Sequence, residues 1–253
     1  MSQSDFDEEA LWRQFAEARL KEGNLNDQLD LPSVFENISP SNGSRALDLG
    51  CGLGQSSFRL AEQLGYEVLA VDASSEMLAH ARKLYSGTKI QWLESTFECL
   101  ELSANSFQLI VACLSFHFVE RLDVLLKRCS GWLCEGGALV FSVRHPIRTC
   151  NPTGEASVDG EIAWSTRNYF KEGRREFNWL GARCINHHRT LGTYIAIIRD
   201  AGMTIESVIE PCDSTSAFAF SQESTSVPFF LTLVSRKPMN VLQRTTGDLK
   251  QIV

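Results

Sequence analysis

Three glycines at every second position, Gly50, Gly52 and Gly54, separate a short apolar run from a helical pattern. Residues 45–49 predict a strand that ends at the first glycine, and residues 55–64 have the apolar spacing of a helix. A strand, a glycine turn and a helix in this order let backbone amides and a helix N-terminus approach a polar ligand closely. The stretch therefore predicts an α/β fold with a ligand site at the turn.

The residues around the glycines narrow the class of ligand. The dinucleotide pattern G-x-G-x-x-G needs a glycine where the chain has Gln55, and no G-x-x-x-x-G-K-[ST] pattern occurs. Asp48 stands two residues before the first glycine, where a carboxylate suits a ligand with a positive amino group and repels a pyrophosphate. In this D-x-G-x-G-x-G pattern the chain resembles the class I S-adenosylmethionine (SAM)-dependent methyltransferases, whose first motif reads E/D-x-G-x-G-x-G.

A second stretch, Val71-Asp72-Ala73-Ser74-Ser75-Glu76-Met77-Leu78-Ala79-His80-Ala81-Arg82, closely resembles the second motif of the same family. In doubly wound folds an acid at the end of the second strand accepts hydrogen bonds from both ribose hydroxyls of the ligand. The resemblance implies SAM as the methyl donor and S-adenosylhomocysteine (SAH) as the product. It also implies these cofactor-binding residues: Arg19, Asp48, Gly50, Cys51, Gly52, Gly54, Asp72, Ala73, Met77, Thr96, Phe97, Leu114 and His117.

Two of these residues, Thr96 and Arg19, and a third position, Gln108, leave alternatives open. Thr96 stands where many relatives have an aspartate that accepts from the adenine amino group, and Gln108 replaces an aspartate of the fourth strand. A hydroxyl accepts such a bond more weakly than a charged group does. These departures keep open a non-catalytic partner subunit with a SAM fold. Arg19 is expected either to reach a ligand carboxylate or to be a solvated arginine on a helix face.

The order of the elements predicts the architecture. Strands are predicted over residues 45–49, 66–72, 90–93, 106–112, 138–143, 203–210 and 228–235. Four alternations of strand and helix imply a parallel sheet with helices on both faces, and the resemblance implies an antiparallel last strand. We expect one Rossmann-like, doubly wound, seven-stranded domain over residues 1–253. Its parts are a helical cover (1–44), a SAM-binding core (45–143), a substrate lid (144–188), a C-terminal core (189–238) and a tail (239–253).

Composition limits the class of protein. The 253 residues have a net charge of -7, which argues against a broad nucleic-acid surface. No run approaches 18 apolar residues, and the first residues are acidic and polar, unlike a signal or transit peptide. Eight cysteines without a C-x-x-C pattern are read as reduced thiols. We expect a cytoplasmic monomer or homodimer without a metal, a membrane or a nucleic-acid partner.

Two segments bear on the substrate. Residues 113–118 lack the N/D-P-P-Y/F sequence of many nucleic-acid and protein methyltransferases and resemble the small-molecule branch instead. Residues 144–189 hold eight basic and five acidic side chains, which predicts either a carboxylate- or phosphate-bearing substrate or a solvated loop. His145 is the first candidate for the general base and His188 the second. The expected reaction is methyl transfer to O, N or C of a small molecule. Cyclisation of SAM or another alkyl transfer is the alternative.

Overall fold

The computed structural model describes residues 14, 16–17, 19, 21, 24–153, 155–158, 161–179, 182–212 and 227–239. The helical cover predicted over residues 1–44 is therefore described at a few positions only before residue 24. The predicted loop 213–226 and the tail beyond residue 239 lie outside the described residues.

The described part contains eleven strands and six helices, numbered in chain order, and a 3₁₀ turn over Phe116–Phe118. The strands are β1 (Arg45–Leu49), β2 (Glu67–Asp72), β3 (Gln91–Glu94), β4 (Phe107–Ala112), β5 (Leu133–Arg144), β6 (Glu155–Val158), β7 (Glu161–Trp164), β8 (Gly173–Trp179), β9 (Ala182–His188), β10 (Thr204–Ile209) and β11 (Phe230–Arg236). The helices are α1 (a π-helical turn Asn26–Asp30 continued by Leu31–Phe35), α2 (Gln55–Phe58 continued by Arg59–Gln63), α3 (Ser75–Leu84), α4 (Leu122–Trp132), α5 (Pro146–Cys150) and α6 (Leu191–Asp200).

Seven strands form the central sheet in the order β10-β11-β5-β4-β1-β2-β3. Strands β1 to β5 pair in parallel, whereas β11 is antiparallel to both β5 and β10. The predicted seven-stranded, mostly parallel sheet with an antiparallel last strand is confirmed. Because the first five strands are parallel, their carboxyl ends lie at one edge of the sheet, where α/β proteins bind ligands.

Apolar side chains on both faces hold the sheet between helices. On one face Leu47, Leu49 and Phe141 pack in a core that includes side chains of α4 and α6. On the other face Ala46 and Val68 pack in a core that includes side chains of α1, α2 and α3. The alternation along β1 follows from the period of two of a strand, and burial on both faces explains its almost continuous apolar sequence. No helix in the described part is long and apolar enough to cross a membrane.

Strand β5 is longer than the sequence predicts. The five residues before the predicted start at residue 138 are also part of the strand, because Phe107 pairs with Leu133 and, after a shift of register, Leu109 pairs with Ala138. The intervening backbone bulges at Gly136, whose φ of +74° favours glycine. The two adjacent glycines, Gly136 and Gly137, therefore mark a bulge inside β5 rather than the start of that strand.

The segment predicted as a lid, residues 144–188, forms α5 and two antiparallel hairpins, β6–β7 and β8–β9. Every second residue of β9, namely Cys184, Asn186 and His188, is buried. Two of these three side chains are polar, so the period of two does not show as an apolar alternation in the sequence.

Candidate functional site

A cavity of about 350 Å³ opens at the carboxyl edge of the sheet. Its walls come from α1, the glycine turn after β1, the end of β2, the turn after β4, the end of β5, and residues of β8 and the start of β11. The lining residues are Arg19, Leu25, Asn26, Asp30, Leu31, Gly50, Cys51, Gly52, Leu53, Gln55, Ser56, Asp72, Ala73, Met77, Cys113, Leu114, Ser115, His117, Phe118, Arg144, Phe177, Phe229 and Phe230. A volume of this size suits one small organic ligand.

The glycine turn is held against β2 by its own amides. The N–H groups of Gly50 and Cys51 donate to the carbonyl of Val71 at 2.8 and 3.0 Å. Gly50 has a φ of +76°, and a Cβ built on it would lie 2.5 Å from the Cβ of Ser115. Only glycine fits at this position, since both the backbone conformation and the neighbouring side chain exclude a larger residue.

Asp72 joins the two predicted motifs. Its Oδ2 accepts from the N–H of Gly52 at 2.8 Å, and its Oδ1 accepts from the N–H of Ser74 at 2.9 Å. The carboxylate therefore fixes the glycine turn and the start of α3 together, and it lines the cavity. Each carboxylate oxygen can accept more than one hydrogen bond, so the same group is chemically suited to ligand hydroxyls.

Asp48 lies behind the turn and is not among the lining residues. It is fully buried, and its Oδ2 accepts from the hydroxyls of Ser56 and Ser57 at 2.6 Å each. Burial raises the pKa of Asp48 to about 6, although both serine hydroxyls oppose the shift. Asp48 therefore stabilises the first turn of α2, whereas the sequence predicts that it faces a ligand amino group.

The other predicted cofactor residues divide into two groups. The cavity is lined by Arg19, Gly50, Cys51, Gly52, Asp72, Ala73, Met77, Leu114 and His117. Gly54, Thr96 and Phe97 are outside the lining. Gly54 lies at the start of α2, Phe97 is buried in the core, and the hydroxyl of Thr96 accepts from the N–H of Cys99 at 3.3 Å. Their roles as cofactor residues stay predictions.

Gln108 is remote from the cavity. It is the second residue of β4, at the opposite end of that strand from Cys113 and Leu114. Its Oε1 accepts from the N–H of Arg45 at 2.9 Å, and its Nε2 donates to the sulfur of Cys134 at 3.3 Å. The departure from the family residue at this position therefore affects the amino end of the sheet rather than the ligand site.

The two histidines predicted as general bases do not line the cavity. His145 accepts the N–H of Ile147 at Nδ1 (3.1 Å) and bonds Glu210 through Nε2 (2.8 Å). His188 bonds the Thr149 hydroxyl at Nδ1 and the carbonyl of Tyr169 at Nε2, both at 2.8 Å. In this geometry neither ring has a nitrogen left for a substrate proton, so the arrangement gives no support to the base prediction.

His145→Ala is expected to lower the free energy of unfolding by about 1–3 kcal/mol, because it removes the cap of α5 and the bond to Glu210. SAH affinity is expected to stay unchanged.

Burial lowers the pKa of His145 below 6.5, so the folded chain binds fewer protons at this residue than the unfolded chain does. This histidine therefore makes the free energy of unfolding fall as the pH drops below 6.5. Urea denaturation at pH 5.5 and 7.5 measures the loss of stability in the variant and the pH dependence of stability in the native chain. Glu210→Ala is the matched control, and lost SAH binding without lost stability contradicts the assignment.

Several lining residues were not identified from the sequence. Asp30 on α1 is 1% exposed, Ser115 donates to the carbonyl of Leu49 at 2.8 Å, and Phe177 projects from β8. The preceding residue, Leu114, was among the predicted residues and has a φ of +52°, a conformation that is strained for a bulky side chain and is typical of functional turns. The chain positions of Asp30 and Phe177 lie outside both motifs, so only folding brings them to the cavity.

The wall formed by the end of β5 carries a positive charge, that of Arg144. The Arg144 guanidinium lies 4.6 Å from the centroid of the Phe177 ring, and among the described residues no carboxylate forms an ion pair with it. Burial and the nearby Arg148 lower the pKa of Arg144 to about 10, so it is still charged at neutral pH. His117 is buried, and burial together with Arg144 and Arg189 keeps its pKa well below 6.5. This part of the cavity suits an anionic group.

Comparisons with known proteins place this geometry in context. Residues 46–137 match the family model described as a methyltransferase domain. An uncharacterised protein of Haemophilus influenzae is 28% identical over 218 residues, which cover 82% of this chain and 86% of that protein. The crystal structure of an S-adenosylmethionine-dependent methyltransferase from Mesorhizobium loti is 32% identical, with a TM-score of 0.74. That alignment covers 82% of this chain and 97% of the other.

A curated relative with a named reaction matches over a shorter span. The ubiquinone biosynthesis O-methyltransferase of Chelativorans sp. is 30% identical over 139 residues, or 53% of this chain. The chain spans about half of that enzyme, since the match covers 54% of its length.

Proposed function

The chain belongs to the class I SAM-dependent methyltransferases, and on that premise we propose that it methylates an oxygen or nitrogen of a small molecule carrying an anionic group. The observation that carries the proposal is the junction of Asp72 and the glycine turn in the wall of one cavity, which also contains Arg144. Asp72 and the glycine turn suit a ribosyl ligand, and the guanidinium of Arg144 suits a carboxylate or phosphate.

The residues present fit SAM in chemical type. We assign the ribose hydroxyls to Asp72, the methionine part to the amides and carbonyls of the glycine turn, and the methionine carboxylate to Arg19. Arg19 already bonds Asp27 at 3.0 Å and Asn24 at 3.1 Å, so this role requires it to share its remaining N–H groups. Bound SAM supplies a methyl group that its sulfonium already activates.

The chain's own contribution is then placement of the acceptor. Alignment of a nucleophile with a methyl group supplies much of the rate enhancement in such reactions, because it replaces a bimolecular encounter by a held geometry. Arg144, fixed over the ring of Phe177, is assigned to the anionic group of the acceptor. Phe229 and Phe230 line the cavity beside it and exclude water from the substrate.

Arg144→Met tests the acceptor assignment. We expect KM for an anionic acceptor to rise about 10- to 100-fold, from the loss of charge-assisted hydrogen bonds, with SAH affinity unchanged. Initial rates of SAH formation against acceptor concentration give KM, and calorimetry gives SAH affinity. Arg121→Met is the matched control, because Arg121 is exposed and bonds Asp123 on the surface. An equal rise of KM for a neutral acceptor contradicts the assignment.

The reaction type is tested by SAH formation. Purified protein is incubated with methyl-labelled SAM and a panel of small hydroxy acids, amino acids and phosphate monoesters, each beside its neutral ester or amide. The proposal requires label in an anionic panel member and release of SAH. Loss of SAM without SAH would indicate the cyclisation or alkyl-transfer alternative, and label only in cellular RNA or protein would indicate a macromolecular acceptor.

The partner-subunit alternative rests on Thr96 and Gln108, and the position of Gln108 weakens it. That side chain bonds Arg45 and Cys134 at the amino end of the sheet, where a change of residue leaves the cavity intact. The measured SAM affinity decides between a methyltransferase and a non-catalytic partner subunit, since a degenerate subunit would bind SAM and SAH weakly or not at all.

A further inference from the structure

Asp30 is a buried acid in the wall of the ligand cavity. It is the last residue of the π-helical turn of α1 and is 1% exposed, yet it lines the same cavity as the glycine turn and Arg144. Its Oδ1 is buried without a hydrogen-bond partner among the described residues. Burying a carboxylate in this way is unfavourable unless a ligand or a proton satisfies it.

The groups around Asp30 leave it without a dedicated cation. The cation that acts on it is Arg19, whose Nη1 already bonds Asp27, and Asp27 itself repels the Asp30 carboxylate. The hydroxyl of Ser142 acts on Asp30 as a donor, which is possible because Ser142 Oγ accepts from the N–H of Leu114 at 3.1 Å and so keeps its own proton available. The other titratable neighbour is the half-buried thiol of Cys113. Burial dominates and raises the pKa of Asp30 to about 7.

We propose that Asp30 is the catalytic base, a role that rests on the proposed methyl transfer. As the acceptor O–H or N–H bond breaks, its proton goes to the Asp30 carboxylate and its electron pair forms the bond to the methyl carbon. The carbon–sulfur electron pair remains on sulfur, which becomes a neutral thioether, and Asp30 later releases the proton to water. The acceptor atom is therefore one that carries a proton at neutral pH, a hydroxyl or an amine, rather than a carboxylate or a thiolate.

The position of Asp30 also limits the size of the acceptor. Ser142 and Arg144 are two residues apart on β5, so their side chains leave the same face of the strand, about 7 Å apart. The Asp30 carboxylate lies beside Ser142, because the Ser142 hydroxyl acts on it as a donor, and the proposed anion site lies at Arg144. A molecule whose hydroxyl or amine is separated from its carboxylate or phosphate by a few bonds spans the two.

Calorimetry with two SAH analogues tests the proposal without knowledge of the acceptor. The probes are SAH and sinefungin, which carries a charged amine where SAM has its transferable methyl. In the native chain we expect the ratio of sinefungin to SAH affinity to rise roughly 10-fold between pH 5.5 and 8, because the ionising Asp30 attracts the amine. Asp30→Asn is expected to abolish this rise and leave SAH affinity within about twofold. Asp27→Asn, the matched control, is expected to retain the rise.

Other outcomes overturn the proposal. If Asp30→Asn weakens SAH and sinefungin equally, the carboxylate holds the amino group of the methionine part instead. A ratio independent of pH in the native chain excludes an ionising acid beside the methyl position. Absence of binding of both probes to the native chain overturns the methyl-transfer assignment itself. Carboxyl NMR of the native SAH complex is a second measurement that needs no variant. An Asp30 carboxyl signal that titrates below pH 5 overturns the proposed role of Asp30 as the base.

Discussion

Gly50→Ala is expected to lower the free energy of unfolding by about 2–5 kcal/mol and to abolish SAH binding. A residue with a Cβ at a φ of +76° is disfavoured by about 1–2 kcal/mol. The new methyl would also lie 2.5 Å from the Cβ and 2.9 Å from the Oγ of Ser115, an overpacking that costs about 1–3 kcal/mol. Ser115 is unable to turn away freely, because its hydroxyl donates to the carbonyl of Leu49.

Gly43→Ala is the matched control for this variant. Gly43 has nearly the same φ, +77°, but a Cβ built on it meets nothing within 4 Å. The control therefore isolates the conformational penalty of about 1–2 kcal/mol and is expected to bind SAH normally. Urea denaturation and calorimetry of both variants measure the difference. Equal loss of stability in the two variants would show that the close approach to Ser115 is unimportant.

Asp72→Ala is expected to weaken SAH binding by about 1–3 kcal/mol, or roughly 5- to 150-fold, from lost hydrogen bonds to a charged group. Two effects combine, because the carboxylate is assigned to the ribose hydroxyls and also accepts from the N–H groups of Gly52 and Ser74. Its loss both removes a ligand contact and loosens the turn. Isothermal calorimetry with SAH measures the sum.

Asp72→Asn separates the two effects, since it keeps one acceptor oxygen and removes the charge; we expect an intermediate affinity. Asp123→Ala controls for the change of net charge, because Asp123 is an exposed acid bonded to Arg121. SAH affinity of Asp72→Ala within twofold of the native value would remove Asp72 from the site.

The fold and the cofactor turn could be predicted because their signals are local. Gly50, Gly52 and Asp72 act through backbone conformation and short-range hydrogen bonds, so the residues that make the turn are close together in the chain. Most of the seven strands follow for the same reason, since β1, β2, β4, β5 and β11 contain compact apolar runs. The hairpins after β5 were missed because Asn186 and His188 occupy buried positions that a sequence pattern expects to be apolar.

The substrate side of the site could not be predicted in the same way. Asp30 and Arg144 are 114 positions apart, and neither belongs to a motif. His145 and His188 stand near the expected pocket mouth in the sequence, but the hydrogen bonds that occupy their rings come from Glu210, Thr149 and Tyr169. Whether a histidine faces a ligand depends on such distant partners, and these are set by the packing of the hairpins.

The most direct test of the account is calorimetric titration of the purified chain with SAM and SAH, with NADH as the control ligand. The account predicts micromolar binding of both sulfur ligands and no binding of NADH, because Gln55 stands where the dinucleotide turn requires its third glycine. Binding of NADH, or failure to bind both SAM and SAH, would contradict the assignment of the cavity and with it the proposed methyl transfer.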